Sequence, residues 1–345
     1  MPAHLRLTQV VSTDSFAGTE RYVVDVAAAL QRRGHDVAVV GGPADRMREL
    51  LRPGVGWRSG SDTASTLRSL AAGGRRDIVH SHMTKADFCA LIAAPVTGGR
   101  RVSTRHLTVH RGFTPAARRL APVVRRALTA EIAVSRFVSD AVEVPSDLVL
   151  LNGVLPVDRI GPEPERGPVV LVAQRLAPEK DTSTALRAWA RSGLAGRGWS
   201  LVVAGVGDER PTLEGLAVEL GVADSVEWLG WVGDMASLYA SCSLLLAPAP
   251  TEPCGLTILE AMAAGLPVVA AGAGGNTETL GQEPTAALFA PGDAQAAADH
   301  LMRLAGDPRL RLEYGGLLQR LQRERLTLAG HVDRLEELYL RVTGR

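Results

Sequence analysis

Short apolar runs alternate with helix-periodic segments along the 345-residue chain, the pattern of parallel strands joined by crossover helices. In the first half the strand-like runs are LRLTQVV (Leu5 to Val11), DVAVVG (Asp36 to Gly41), DIVHSH (Asp77 to His82), RVSTRH (Arg101 to His106), EIAVS (Glu131 to Ser135) and LVLLNG (Leu148 to Gly153). A helix is predicted over Thr19 to Arg33, stopped by Gly34. The stretch PVDRIGPEPERGP, Pro156 to Pro168, breaks the alternation with four prolines and mixed charge, as a linker does. The pattern then restarts with VVLVA, WSLVVAG, SVEWLGW, LLLAP and PVVAA, with helices beginning at Thr182 and Glu209. It closes on amphipathic helices over Pro308 to Arg325 and Gly330 to Arg341. The expectation is an α/β protein of two Rossmann-like domains, residues 1–155 and 156–329, facing across a cleft.

The most informative stretch is Thr251 to Ala271, TEPCGLTILEAMAAGLPVVAA. LLLAP before it reads as a strand, Gly255 to Ala264 as a helix stopped by Gly265, and Pro267 to Ala271 as another strand. In such a unit the first N–H groups of the helix, near Gly255, Leu256 and Thr257, face the carboxyl ends of the strands. These donors and the helix dipole favour a phosphate there. Two carboxylates beside a phosphate cradle, Glu252 in the loop and Glu260 one turn into the helix, make electrostatic sense if each accepts hydrogen bonds from hydroxyls. A sugar and a ribose supply them. Taken alone, the pair also fits a helix cap and a solvated surface charge.

Composition narrows the field. Lys and Arg number 38 against 37 Asp and Glu, a net charge of +1, which gives no support to a nucleic-acid binder. Cys89, Cys242 and Cys254 are widely spaced, without disulfide or metal-ligand spacing, as expected in a reducing cytoplasm. The opening MPAHLRLTQVV lacks the basic segment and longer apolar run of a secretion signal, and no later stretch is apolar for a membrane span. The expected location is the cytoplasm, including the inner face of a membrane.

The run from Thr251 resembles the glutamate-x7-glutamate signature of the retaining glycosyltransferases of family 4, E-P-F-G-L-x-x-L-E-A-M-A-x-G-x-P-V-V, with Cys254 in place of phenylalanine. LVAQRLAPEKD, Leu171 to Asp181, is similar to the family's G-R-L-x-x-E-K-G, with Gln174 and Asp181 standing where glycines are usual. Arg175 and Lys180, two fixed cations in one loop, can neutralise a diphosphate, and the resemblance assigns them that task. AGTERYVVDVAAALQRRGHDVAVV, Ala17 to Val40, resembles the opening G-G-x-E segment, with only Gly18 of the glycine pair. The resemblance implies that Gly18 approaches donor phosphates or acceptor, that His106 stands near the transferred sugar, and that Gly230, Trp231 and Val232 seat the nucleotide base. It places Cys254, Gly255, Leu256, Thr257 and Glu260 at the donor, with Glu252 on the hexose and Glu260 on the ribose. Gly205-x-Gly207 and Gly274, Gly275 and Glu278 also match family segments. The family's GT-B fold implies that the last helix, 330–345, crosses back to the first domain.

Other histidines invite chemistry too. His110 is a rival to His106, His35 reads as structural, and His80 and His82 share one strand face at a metal-pair spacing, with no further ligand nearby. No Asp-x-Asp triplet occurs in the chain, so no metal site and no cofactor are expected; the cations and the helix start take the ion's place. The resulting expectation is a retaining, metal-independent hexosyltransferase. It would use a UDP- or GDP-hexose and a hydroxyl acceptor in cell-envelope glycolipid, polysaccharide or glycoside synthesis. Pro115 to Leu128 carries four arginines among apolar residues, which suits both an anionic membrane surface and a solvated helix face. The alternatives are a sugar-nucleotide epimerase on the same architecture and a two-lobed solute-binding protein.

Overall fold

The computed structural model describes residues 4–112, 115–157, 166–281 and 283–345. Most of the linker read from sequence, 158–165, lies outside the described residues. The chain divides into two units, Met1–Asn152 with Leu328–Arg345, and Gly153–Thr327.

The first unit is built on seven strands: β1 (Arg6–Val11), β2 (Asp36–Gly41), β3 (Gly56–Arg58), β4 (Ile78–His82), β5 (Arg100–Arg105), β6 (Ala130–Ala133) and β7 (Leu148–Val149). Their order is β3-β2-β1-β4-β5-β6-β7 and every pairing is parallel. Strands β1, β2 and β4 are buried almost throughout, which is why their sequences read as continuous apolar runs rather than alternating ones. The second unit repeats the plan with six strands: β8 (Val169–Ala173), β9 (Ser200–Ala204), β10 (Val226–Gly230), β11 (Leu244–Ala247), β12 (Val268–Ala271) and β13 (Ala287–Phe289). Their order, β10-β9-β8-β11-β12-β13, is again wholly parallel. Both sheets reverse direction once, between β1 and β4 and between β8 and β11. Loops at the carboxyl ends on either side of such a reversal diverge and leave a crevice where ligands bind in open α/β sheets.

The first unit takes its core from both ends of the chain. Helix Gly18–Arg32 buries Tyr22, Val23, Val26 and Leu30, and the final helix, Leu328–Thr343, buries Val332, Leu335, Leu338 and Tyr339 in the same cluster. Burying each large apolar side chain stabilises the fold by about 2 kcal/mol, so the last helix is an integral layer of this unit. At its polar edge Arg33 pairs with Asp333 (2.6 Å) and Glu336 (2.8 Å), and His35 Nε2 lies 3.1 Å from Glu336 Oε1. The structural reading of His35 rests on that contact. Glu20, the glutamate of the G-G-x-E-like segment, is buried and accepts the Ala17 backbone N–H at 2.8 Å, satisfying one of the donors a helix start leaves open.

Candidate active site

In the second unit, chemistry gathers where the sheet reverses. After β8 the chain makes one turn of 3-10 helix, Pro178–Lys180, and enters helix Thr182–Ser192 through Asp181, whose φ of 48° lies in the left-handed region. That conformation is why glycine is usual at this position of the motif. Aspartate is tolerated because its carboxylate caps the helix, accepting from the Thr184 N–H (3.3 Å) and hydroxyl (2.7 Å). Gln174, at the other glycine position, donates through Nε2 to Lys180 O and Thr182 Oγ1, both at 2.9 Å, and so closes the loop on itself. The loop also sits tightly on β9: a Cβ on Gly205 would stand 1.8 Å from Gln174 O, and one on Gly207 2.0 Å from Leu176 O. The Gly-x-Gly pair is therefore a packing requirement beneath the Arg175–Lys180 loop.

Across the reversal, β11 runs into the loop carrying Glu252. Lys180 Nζ donates to Glu252 Oε2, joining residues far apart in sequence, and Glu252 Oε1 accepts the Gly255 N–H at 3.3 Å. Gly255 has φ 74° and turns the chain into helix Leu256–Ala263. Gly275 supports this loop from below: a Cβ there would meet Pro253 O at 2.2 Å. Glu260 lies one turn into the helix and accepts from the Tyr239 hydroxyl at 2.8 Å. Burial and the neighbouring Glu260 push the Tyr239 hydroxyl well above its usual pKa, so it stays a donor. Beside it opens a hollow of about 190 Å³ lined by Gln174, Gly205, Trp231, Val232, Met235, Tyr239, Thr257 and Glu260.

Several expected site residues thus meet. Lys180, Glu252 and Gly255 form one contact group, and Trp231, Val232, Thr257 and Glu260 share one hollow. Leu256 is the first residue of the helix and Gly230, with φ 67°, ends β10 beside Ala204. Two expected residues lie outside these groups. Arg175 is 66% exposed and bound to Glu179 at 2.5 Å, and the Cys254 side chain is buried and does not line the hollow. Tyr239 was missed. Its helix, Met235–Ser241, is announced by Asp234, which caps it through the Ser237 N–H, but seven residues are too few for a clear period.

In the first unit His106 follows directly on β5, and Gly18 opens the helix after β1. His106 is 7% exposed and lies in a buried cluster with His80, His82, His331, Tyr22 and Tyr339. Desolvation, then neighbouring rings, push His80 and His106 down to about 3 and His82 well below its usual value; burial pushes His331 to about 4. All four are neutral at ordinary pH. His80 and His82 are engaged in hydrogen bonds within this cluster, and among the described residues no group of three or more His, Cys, Asp or Glu could hold a metal ion. His110 is exposed, with Nδ1 3.6 Å from Glu143. The segment after His106 is pinned by buried Arg111, which binds Asp87 (2.9 Å), Glu131 and Glu143 (3.0 Å). In helix Pro115–Ala127, Arg118, Arg119, Leu120, Val123 and Arg126 are exposed. Among the described residues no helix is long and apolar enough to cross a membrane.

Two doubly wound parallel sheets, each with chemistry at its reversal, and a final helix returned to the first unit define the GT-B class. The family model for group 1 glycosyl transferases matches residues 157–316, and that for glycosyltransferase family 4 matches residues 16–145. The chain belongs to this family of group 1, family 4 glycosyltransferases. It is 32% identical over 205 residues to a 2-deoxystreptamine glucosyltransferase of Streptomyces kanamyceticus, a match covering 57% of this chain and 52% of that protein. It therefore spans about half the length of that relative. With the lipopolysaccharide core biosynthesis glycosyltransferase LpsE of Rhizobium meliloti it shares 25% identity over 322 residues, covering 85% and 87% of the two chains. In fold it is similar to the Anabaena protein HepE, solved in complex with UDP-glucose, with TM-score 0.79 and 20% identity over 97% of this chain and 99% of that one.

Proposed function

We propose that this chain moves a hexosyl group from a nucleoside-diphosphate hexose to a hydroxyl acceptor, with the anomeric configuration retained and without a divalent ion. The observation that carries the reading is the Lys180–Glu252 contact at the reversal of the second sheet, beside a hollow that contains Glu260 and the start of a helix. In this reading Lys180, Arg175 and the N–H groups of Leu256 and Thr257 hold the diphosphate. Trp231 and Val232 seat the base, with Gly230 shaping the turn beneath it. Glu260, which also accepts from the Tyr239 hydroxyl, takes the ribose hydroxyls, and Glu252 the hexose hydroxyls. Cys254 shapes the loop from within, and Gly18 and His106 serve from the first unit.

The bond from the anomeric carbon to the phosphate oxygen breaks and its electron pair leaves with the diphosphate. The acceptor oxygen bonds to the same face of that carbon, and the acceptor proton passes to the departing phosphate. The electrostatic demand falls on the leaving group, which fixed cations stabilise without reorganisation. The relatives' names support glycosyl transfer, and the UDP-glucose complex of HepE supports a nucleoside-diphosphate hexose as donor; the proposed donor class is a UDP- or GDP-hexose. A glycolipid, polysaccharide or glycoside hydroxyl is the acceptor class, and the cytoplasm, including the membrane face, the proposed location.

Calorimetry with UDP, GDP and ADP and their hexoses, followed by NMR of the product formed under chelation, tests this. Lys180→Ala should cut turnover by roughly 10²-fold with the fold intact. Normal turnover in that variant would remove the leaving-group assignment. An inverted linkage would remove retention, a strict metal requirement the metal-free mechanism, and epimerised donor without acceptor product the transferase itself. Lipid-linked and free acceptors assayed side by side separate a membrane-facing reaction from a soluble one.

A further inference from the structure

Around His106, the reversal of the first sheet is occupied by side chains to which the proposed transfer gives no role. Gln9 on β1 and His80 and His82 on β4 are wholly buried on either side of it, and His106 stands at the end of the neighbouring β5. Their hydrogen bonds form a directed chain. Gln9 Nε2 donates to the Tyr339 hydroxyl at 3.3 Å, which turns Gln9 Oε1 towards His82 Nε2 at 2.7 Å. An amide oxygen only accepts, so His82 carries its proton on Nε2. Being neutral, His82 then has a lone pair on Nδ1, 3.0 Å from His106 Nε2. The proton in that contact must therefore belong to His106 Nε2. The other branch agrees: Tyr339, accepting from Gln9, donates its own proton to His80 Nδ1 at 2.5 Å, and His80 Nε2 donates to Thr104 Oγ1 at 2.7 Å.

The ring of His106 is also fixed in place. The Tyr22 ring meets it edge-on with centroids 5.0 Å apart. Tyr22 donates its hydroxyl proton to His331 Nε2 at 2.8 Å, and His331 donates through Nδ1 to Leu151 O at 2.8 Å. The carbonyl settles the direction of this branch, because it has no proton to give.

We propose that Gln9 and His82 are positioning residues that hold His106 as its Nε2–H tautomer, so that the nitrogen it offers to a substrate hydroxyl is Nδ1, a hydrogen-bond acceptor. This deepens the transferase reading and rests on it for the role of His106 at the transferred sugar. A second-layer partner that fixes an imidazole tautomer acts through the ring it orients. His106 in this state accepts a hydrogen bond from a sugar or acceptor hydroxyl and donates none to it. The choice follows from one amide: turned over, Gln9 would donate to His82, and the proton order would reverse up to His106.

Two measurements on the full chain decide the matter. Long-range 1H–15N NMR of histidine-labelled protein near pH 7.5 should show His106 protonated on Nε2; protonation on Nδ1 overturns the proposal without reference to activity. In Gln9→Met, which keeps the length and removes the amide, His106 should become a tautomer mixture. Turnover should fall about 10-fold while nucleoside-diphosphate affinity stays unchanged. A scrambled tautomer with unchanged turnover overturns the positioning role but leaves the transferase reading standing. Full activity in His106→Ala would instead remove His106 from the reaction. Should Gln9→Met fail to fold, the wild-type tautomer still decides.

Discussion

Glu252 and Glu260 have the same side chain in the same helix–loop unit, yet their surroundings give them different work. Glu252 is held by Lys180 and by the Gly255 N–H, so its carboxylate is coupled to the cation assigned to the diphosphate. Glu260 is held by a hydroxyl and faces a hollow. Glu252→Gln keeps the shape but frees Lys180 from a competing negative charge. We expect nucleoside-diphosphate affinity to be unchanged or tighter and transfer to fall by roughly 10²-fold. Glu260→Ala should weaken nucleotide binding by about 10-fold through lost ribose hydrogen bonds. Calorimetry paired with turnover checks both, and a parallel loss of binding and turnover in Glu252→Gln would refute the division. At this scale the motif made the two glutamates legible. The Lys180 contact was not, because it depends on β8 and β11 being neighbours across a reversal that no local pattern encodes. The histidine cluster was hidden for the same reason: Tyr339 and His331 reach it from the far end of the chain.

Elements show why some motif glycines have to be glycine. Gly275 has an ordinary backbone conformation, but its missing Cβ leaves room for Pro253 O, so it sets the height of the Glu252–Gly255 loop. Gly275→Ala should destabilise the second unit by about 1–3 kcal/mol and weaken donor binding with it, since backbone rather than a flexible side chain must move. Gly215 is the control. It lies within helix Arg210–Glu219 with open space around its Cα, so Gly215→Ala should stabilise by about 0.5–1 kcal/mol. Denaturant midpoints and donor calorimetry on the pair check the contrast; equal shifts in both variants would contradict it. Long strands and helices were legible from apolar runs and stop signals, as the helix after β1 and Pro308–Arg325 show. β3 and β13, three residues each, carry no readable period. LVLLNG shortens to Leu148–Val149, the two residues of this edge strand that pair with Ile132 and Ala133 of β6.

At the scale of the whole molecule, the two units should respond differently to acid. His80, His82, His106 and His331 all belong to the first unit, whereas the second contains one histidine, His300, bound to Leu288 O at 3.1 Å. The four cluster histidines have folded pKa values below that of the free side chain, about 3 for two of them and about 4 for His331. The unfolded chain therefore binds more protons once pH drops below about 6.5. Stability is intact above that point and is lost as pH falls towards the folded values. Glu20 and Asp25, raised by burial, act in the opposite sense, but they are two groups against four. Four such histidines remove on the order of 5 kcal/mol by pH 5.5, comparable with the whole stability of a domain. Calorimetric melting should resolve two transitions, one falling by roughly 10–20 °C between pH 7.5 and 5.5 and the other nearly unmoved. Nucleoside-diphosphate binding, a property of the second unit in this reading, should survive at a pH where the first unit has begun to melt. Two transitions that shift together, or neither shifting, would show that the cluster is not held neutral by burial and would withdraw the fixed tautomer of His106 along with it.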